Sequence, residues 1–67
     1  MFTKIMQEIL NSGLTEVEAA IKLNTTQATV NRIKNNKQRP GGDLAVAIMT
    51  LRKTRERQYR AFLNKAA

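Results

Sequence analysis

Four residues near the middle of this 67-residue chain carry side chains that could recognise the edges of base pairs in DNA. The amide of Gln27 can form two hydrogen bonds to adenine N6 and N7, and the guanidinium of Arg32 can do the same to guanine O6 and N7. The side chain of Ala28 can contact the methyl group of thymine. With Asn31, which lies on the same predicted face, they are our candidates for contact with bases.

A helix at about 27–35 would bring these four residues to one face. Val30 and Ile33 lie one turn apart and are the apolar residues expected to face the interior, which leaves the four candidates in solvent. Phosphate contacts fix register and affinity but carry no sequence information. The residues expected to make them lie around the four candidates: Thr26, Thr29, Lys34, Asn35, Lys37 and Arg39. The alternative role for the lysines is that of solvated surface charges.

The preceding segment has the features of a shorter helix followed by a tight turn. Thr15 and Glu18 have the spacing of a capping box, in which each side chain accepts a hydrogen bond from the backbone of the other. The helix that they begin is expected to end near Leu23. Asn24 tolerates a positive φ, and Thr25-Thr26 offers the N-cap of the next helix.

These two helices meet the demands of a helix-turn-helix. The motif needs a small residue where the helices cross, a turn residue that accepts positive φ, and apolar anchors on the second helix. Ala20, Asn24, Val30 and Ile33 supply them at the required spacing. The alternative is a pair of short amphipathic helices joined by a polar turn, which occurs in many proteins.

Two further regions have apolar residues at helical spacing. Thr3 is expected to cap the first of these helices, and Gly13 suits the left-handed residue past its end. Its apolar stripe consists of Phe2, Ile5, Met6, Ile9 and Leu10. Asp43 is expected to cap the second, whose stripe consists of Leu44, Ala47, Ile48 and Leu51.

The residues after Leu51 form a basic run and then a small apolar cluster of Tyr59, Phe62 and Leu63. Because the apolar face fades between these regions, we predict two helices with a bend near residues 52–54, rather than one helix of about 20 residues.

No part of the sequence alternates like a strand. We therefore expect an all-α fold of four to five short helices, in a single domain (1–67) whose residues 52–67 form a basic C-terminal helical extension.

The net charge of +7 is concentrated in the second half of the chain. Residues 32–67 hold ten basic residues and two acidic ones, which favours a polyanionic partner. The chain has no histidine, no cysteine and no glycine-rich phosphate loop, so we expect no enzymatic activity, no metal and no cofactor. No apolar run approaches the length of a membrane span, and we expect no membrane association.

Residues 14–33 resemble the helix-turn-helix of lambdoid phage repressors and Cro proteins, most closely in the Thr25-Thr26-Gln27 turn. Residues 37–40 are similar at the same distance after the motif, and the resemblance covers roughly residues 3–51. It implies a lambda-repressor-like fold that places the second helix in the major groove. It also implies a homodimer on a short palindromic operator of double-stranded DNA and a location in the cytoplasm of a bacterial host cell. Regulation would be repression by exclusion of RNA polymerase, with activation by contact with RNA polymerase as the alternative.

Two residues depart from the family pattern. Glu16 stands where the family often has a neutral donor, and a carboxylate there would repel a phosphate unless it points away or pairs with a cation such as Arg32. Ala19 stands where leucine is more frequent, so Met6 or Met49 is expected to fill the space.

The C-terminal residues leave the choice of partner open. Val46 and Met49, or Tyr59 and Phe62, could form the dimer interface, or they could close the core of the monomer. The arginine-rich run 52–60 also allows a protein that binds RNA hairpins. The alternative to RNA binding is that this run forms a solvated helix face with an Arg52–Glu56 pair. A third possibility is an antitoxin or adaptor whose C-terminal helix binds a protein partner.

Overall fold

Four α-helices form the fold of the computed structural model, which describes the backbone of residues 1–66 and the side chains in that range other than those of Tyr59, Phe62, Leu63 and Ala66. The helices are α1 (Phe2–Asn11), α2 (Glu16–Lys22), α3 (Gln27–Lys34) and α4 (Gly42–Ala66). They comprise 74% of the chain, and no strand occurs in residues 1–66. The predicted all-α class is confirmed, although α4 is long rather than short.

α1 lies at the centre of the fold and contacts each of the other three helices. Its predicted apolar stripe is confirmed, since Ile5, Met6 and Ile9 are buried while Phe2 and Leu10 pack against the edge of the core. The rest of the chain completes this core with the buried side chains of Leu14, Ala19, Ala20, Leu23, Val30, Ile33 and Ile48.

The start of α1 differs from the prediction, whereas its end agrees with it. The helix begins at Phe2 with Met1 as its N-cap, so the prediction that Thr3 caps it is wrong. The hydroxyl of Thr3 instead donates a hydrogen bond of 2.8 Å to the carbonyl oxygen of Ile33, which ties α1 to α3. Gly13 has a φ of 110°, as expected for the left-handed residue past the helix end.

α4 is one continuous helix, so the prediction of two helices with a bend near residues 52–54 is wrong. The apolar face does fade there, but polar contacts with α1 and its C-cap take its place. Arg52 Nε lies 3.1 Å from Glu8 Oε2. Arg55 donates to Ser12 twice, from Nε to Oγ at 2.9 Å and from Nη2 to the carbonyl oxygen at 2.6 Å. Because no glycine or proline follows the first turn, α4 continues through these anchors.

The first turn of α4 also corrects a prediction. The helix begins at Gly42, so Asp43 lies inside its first turn and is not its N-cap. The backbone N–H of Ala45 donates to the carbonyl oxygen of Gly41 at 2.7 Å. The carboxylate of Asp43 still stabilises the helix start, because it lies at the positive end of the helix dipole.

α4 runs parallel to α1 and continues past its end. Phe2 lies beside residues 45–50, whereas Ser12, the C-cap of α1, contacts Arg55. Residues 56–66 therefore extend beyond α1 by about 16 Å at the helical rise per residue. The molecule measures 38 Å along its longest axis and 20 and 19 Å across. No helix within residues 1–66 has the length and apolar character needed to cross a bilayer.

Candidate nucleic-acid interface

The predicted capping box fixes the start of α2. The backbone N–H of Glu18 donates to Thr15 Oγ1, and the backbone N–H of Thr15 donates to Glu18 Oε1, both at 3.1 Å. The backbone N–H of Thr15, followed by its hydroxyl, lowers the pKa of the Glu18 carboxyl. α2 consequently begins at Glu16, as predicted.

The turn between α2 and α3 agrees with the prediction. Asn24 has a φ of 55°, and the backbone N–H of Thr25 donates to the carbonyl oxygen of Ala20 at 2.9 Å. Ala20 is buried where the two helices meet. Thr26 caps α3 by accepting a hydrogen bond of 3.2 Å from the backbone N–H of Thr29. The sequence therefore folds locally as predicted, into two helices joined by a four-residue turn.

α3 presents the four candidate base contacts together. Its inner face carries Val30 and Ile33, both with no exposed surface. All four candidates are exposed on the opposite side of the helix: Gln27, Ala28, Asn31 and Arg32. The orientation predicted from the two inward residues is confirmed, and it places amide, methyl and guanidinium groups on one outward surface.

The C-terminal end of α3 is fastened to α1 by contacts that the sequence did not reveal. Besides the bond from Thr3 to the carbonyl oxygen of Ile33, Gln7 Nε2 donates to the carbonyl oxygen of Lys34 at 3.3 Å. The carbonyl oxygen of Ile33 also accepts from the backbone N–H of Asn36 at 3.1 Å, so the two side chains add to the hydrogen bonds of the last turn. Thr3 and Gln7 lie one turn apart on α1, and that spacing was the only available signal. They fix the direction in which α3 projects its outer face.

The candidate phosphate contacts lie at both ends of α3 and in the loop that follows it. Thr26 and Thr29 lie at the start of α3, and their hydroxyl oxygens are 3.0 Å apart, so each is already hydrogen-bonded to the other. Asn35 is the C-cap of α3. Lys37 and Arg39 are exposed in the loop that follows.

The loop after α3 contains a second left-handed residue that was not predicted. Asn36 has a φ of 60°, and the backbone N–H of Lys37 donates to the carbonyl oxygen of Arg32 at 2.8 Å. Asparagine tolerates this conformation better than most residues do. The Asn35-Asn36 pair past the last apolar residue of α3 was the signal that could have located it.

Glu16 is the exception on this otherwise basic surface. Its Oε2 lies 3.0 Å from Lys34 Nζ, and Asn31 Nδ2 donates to both carboxylate oxygens at 3.4 Å. The partner is therefore Lys34 and not Arg32. The hydrogen bond from Lys34, followed by that from Asn31, lowers the pKa of the Glu16 carboxyl. Lys34, predicted as a phosphate contact, is thus an ion-pair partner in the free protein.

Two of the four candidate dimer residues, Val46 and Met49, lie at the surface of α4. Val46 is 67% exposed and Met49 36% exposed, and both line a shallow groove of about 290 Å³ with Phe2. Tyr59 and Phe62 lie outside the described side chains. Val46 and Met49 thus do not close the core of this chain.

The departure at Ala19 is explained by the packing of the core. Ala19 has no exposed surface, and the same core contains the fully buried Met6. Met49 lies at the surface instead. Met6, and not Met49, is therefore the methionine that belongs to the core around Ala19.

The second half of α4 carries basic side chains outside the contacts with α1. Glu56 Oε1 pairs with Arg60 Nη2 at 2.7 Å and Arg52 pairs with Glu8, so the Arg52–Glu56 pair considered as an alternative does not form. Lys53 and Arg57 are exposed. This surface is more strongly charged than the outer face of α3, and it also exposes Gln58, Ala61 and Asn64.

The described residues include no group of histidine, cysteine, aspartate or glutamate side chains that could hold a metal ion. Compared with protein-family models, curated proteins and solved structures, the chain shows no significant match.

Proposed function

We propose that this protein binds double-stranded DNA in a sequence-specific manner by inserting α3 into the major groove. The observation that carries the proposal is the outward face of α3, on which Gln27, Ala28, Asn31 and Arg32 are exposed together. Each of these side chains suits contact with a base edge or a thymine methyl group. The resemblance of residues 14–33 to phage repressors and Cro proteins points to the same function.

The rigidity of α3 supports this proposal. A helix that discriminates between bases must hold its side chains in register with the base pairs. α3 is capped by Thr26, packed through Val30 and Ile33, and fastened to α1 at its last carbonyl groups. Its outer face is therefore a preorganised surface.

We further propose that the protein acts as a homodimeric repressor on a palindromic operator. One α3 helix contacts too few base pairs for tight binding, and two-fold dimers of this kind bind half-sites about 34 Å apart. Val46 and Met49 provide exposed apolar surface on α4 for a second copy. A bound dimer would exclude RNA polymerase from an overlapping promoter.

The decisive experiment is selection of bound sites from random duplex DNA, followed by gel shift with the selected sequence. We expect enrichment of an inverted repeat whose half-sites are separated by about one helical turn. A selection that enriches no sequence at all would overturn sequence-specific binding.

Recognition of structured RNA is a second candidate function. It is favoured by the length of α4, whose residues 56–66 extend beyond α1 with exposed basic side chains. Gel shift with RNA hairpins and DNA duplexes at equal salt separates the two functions. Tighter binding to hairpins than to the selected duplex would favour RNA.

A further inference from the structure

The outer surface that we propose for DNA binding contains one carboxylate, and that carboxylate is engaged by two residues of the same surface. Glu16 lies at the start of α2 but reaches α3, where it contacts Lys34 Nζ at 3.0 Å and Asn31 Nδ2 at 3.4 Å. The side chain of Glu16 is 21% exposed and that of Lys34 33%. The ion pair thus lies at the surface, at the edge of the candidate base contacts.

The contact with Glu16 fixes the orientation of the Asn31 amide. Asn31 donates from Nδ2 to Glu16, and its Oδ1 accepts a hydrogen bond of 3.2 Å from Asn35 Nδ2. An amide has two donor hydrogens and an oxygen with two lone pairs. One donor and one acceptor position therefore remain for a base, in a direction set before DNA arrives.

The same contact changes the electrostatics of Lys34. A lysine that neutralises a phosphate releases a counterion from DNA, and this release drives binding to any sequence. Lys34 already has a protein carboxylate as its counter-charge, and that carboxylate also repels nearby phosphates. Lys34 consequently contributes less to sequence-independent binding than an unpaired lysine at the same place would.

We infer that Glu16 is a specificity-determining positioning residue. Its ion pair keeps Lys34 away from phosphates, and its hydrogen bonds orient Asn31 for contact with a base. This inference rests on the proposed DNA-binding function. It predicts that Glu16 weakens binding to all DNA and weakens binding to the correct site least. Glu16 would then make binding weaker but more selective for the correct sequence.

The test compares Glu16→Gln with the wild-type protein. Glutamine keeps the size of the side chain and one acceptor oxygen, but it replaces the other oxygen with an NH2 donor and removes the charge. Fluorescence anisotropy with a selected and a scrambled duplex, at several salt concentrations, gives affinity and salt slope for each. We expect about two- to fivefold tighter binding to the scrambled duplex, a salt slope about 0.9 unit steeper, and a smaller gain on the selected duplex.

Glu56→Gln is the matched control. Glu56 also forms a surface ion pair, with Arg60, but lies on α4. Its substitution changes the net charge by the same amount. Equal gains for the two variants would mean that net charge alone is responsible, and would overturn the inference.

A double-mutant cycle tests the route through Lys34. In a Lys34→Gln background, Glu16→Gln should no longer steepen the salt slope, because no lysine is left to release. If Glu16→Gln steepens the salt slope in that background as much as it does in the wild-type protein, Glu16 acts only by repelling phosphate. That result would contradict a role for the ion pair between Glu16 and Lys34. Circular dichroism of all variants verifies that α2 and α3 remain helical.

The outcome for the wild-type protein separates this inference from the function on which it rests. A wild-type protein that prefers the selected duplex, with no change of slope in Glu16→Gln, would overturn the inference and leave the function standing. A wild-type protein that binds neither duplex at low salt would overturn both.

Discussion

Two basic and exposed surfaces of this protein are built in different ways. The outer face of α3 belongs to a helix that is capped by Thr26, buried along its inner side, and fastened to α1 through Thr3 and Gln7. The second half of α4 is anchored through Arg52 and Arg55, and residues 56–66 extend beyond α1. The first surface is held in a fixed place, whereas the second is an extension of one helix.

The two surfaces also differ in charge. α3 exposes two amides, a methyl group and a guanidinium, which is the set that distinguishes base pairs. Residues 52–66 of α4 hold six basic residues and one acidic residue, a composition that suits contact with a polyanion of any sequence. Residues 52–66 also expose Gln58, Ala61 and Asn64, so the two surfaces differ in charge and in their support by the fold, and not in the presence of amide and methyl groups.

The largest expected difference between the two regions is in stability. Ile33→Ala removes a fully buried side chain from the inner face of α3 and should lower the free energy of unfolding by about 2–5 kcal/mol. Val46→Ala on α4 truncates a side chain that is 67% exposed and should cost much less at protein concentrations too low for a dimer. Urea denaturation of both variants measures this difference. Equal losses would mean that the inner face of α3 is not the centre of the core.

Sequence discrimination should also depend on α3 and not on α4. Arg32→Ala should weaken binding to the selected site by about 1–3 kcal/mol and relax preference at one base pair. Arg57→Ala, an exposed arginine of α4, should leave the preference unchanged. Binding to duplexes with single base-pair changes measures both effects. If Arg32→Ala weakens binding equally on all sequences, Arg32 contacts phosphate instead of a base.

Two threonines offer a smaller and closely matched comparison. The Thr26 side chain accepts from the backbone N–H of Thr29 and caps α3, so Thr26→Ala should lower the free energy of unfolding by about 1 kcal/mol. Thr54 lies inside α4, and its hydroxyl donates to the carbonyl oxygen of Thr50, which already belongs to the helix. Thr54→Ala should be neutral or slightly stabilising, because alanine is the better helix former.

Thermal denaturation followed by circular dichroism at 222 nm measures both threonine variants under one condition. If Thr54→Ala lowers the free energy of unfolding as much as Thr26→Ala does, the start of α3 depends no more on its N-cap than α4 depends on the hydroxyl of Thr54.

The sequence predicted the α2–α3 region well because local signals dominate there. The capping box, the positive φ of Asn24 and the inward pair Val30 and Ile33 all depend on residues within a few positions of one another. The exposed face of α3 follows from that pair by helical periodicity alone.

The errors arise where distant residues decide the structure. The continuity of α4 depends on Arg52 meeting Glu8 and on Arg55 meeting Ser12, and no local pattern contains these pairs. Polar contacts between helices replaced the apolar face whose absence suggested a bend. Likewise, the hydrogen bond from Thr3 to Ile33 could not be predicted locally, because it forms only when α3 lies beside α1.

The role of Lys34 was missed for a similar reason. Its partner Glu16 is 18 positions away, and the two are brought together only by the turn between α2 and α3. The sequence indicated that a cation would be needed near Glu16, but helical periodicity could not choose among the basic residues of α3.

The smallest expected effect distinguishes the two surfaces by their dependence on salt. Lys37 follows α3 in an exposed loop, and Lys53 lies on the exposed side of α4. If Lys37 contacts a phosphate, Lys37→Ala should make the salt slope of binding shallower by about 0.9 unit without changing sequence preference. Lys53→Ala should leave the slope unchanged, since its surface belongs to the other region.

Binding to the selected duplex at several salt concentrations measures both slopes. Equal reductions would show that α4 also contacts the DNA backbone, and the two regions would then act on one ligand: α3 would select the sequence, and α4 would add affinity that is independent of it.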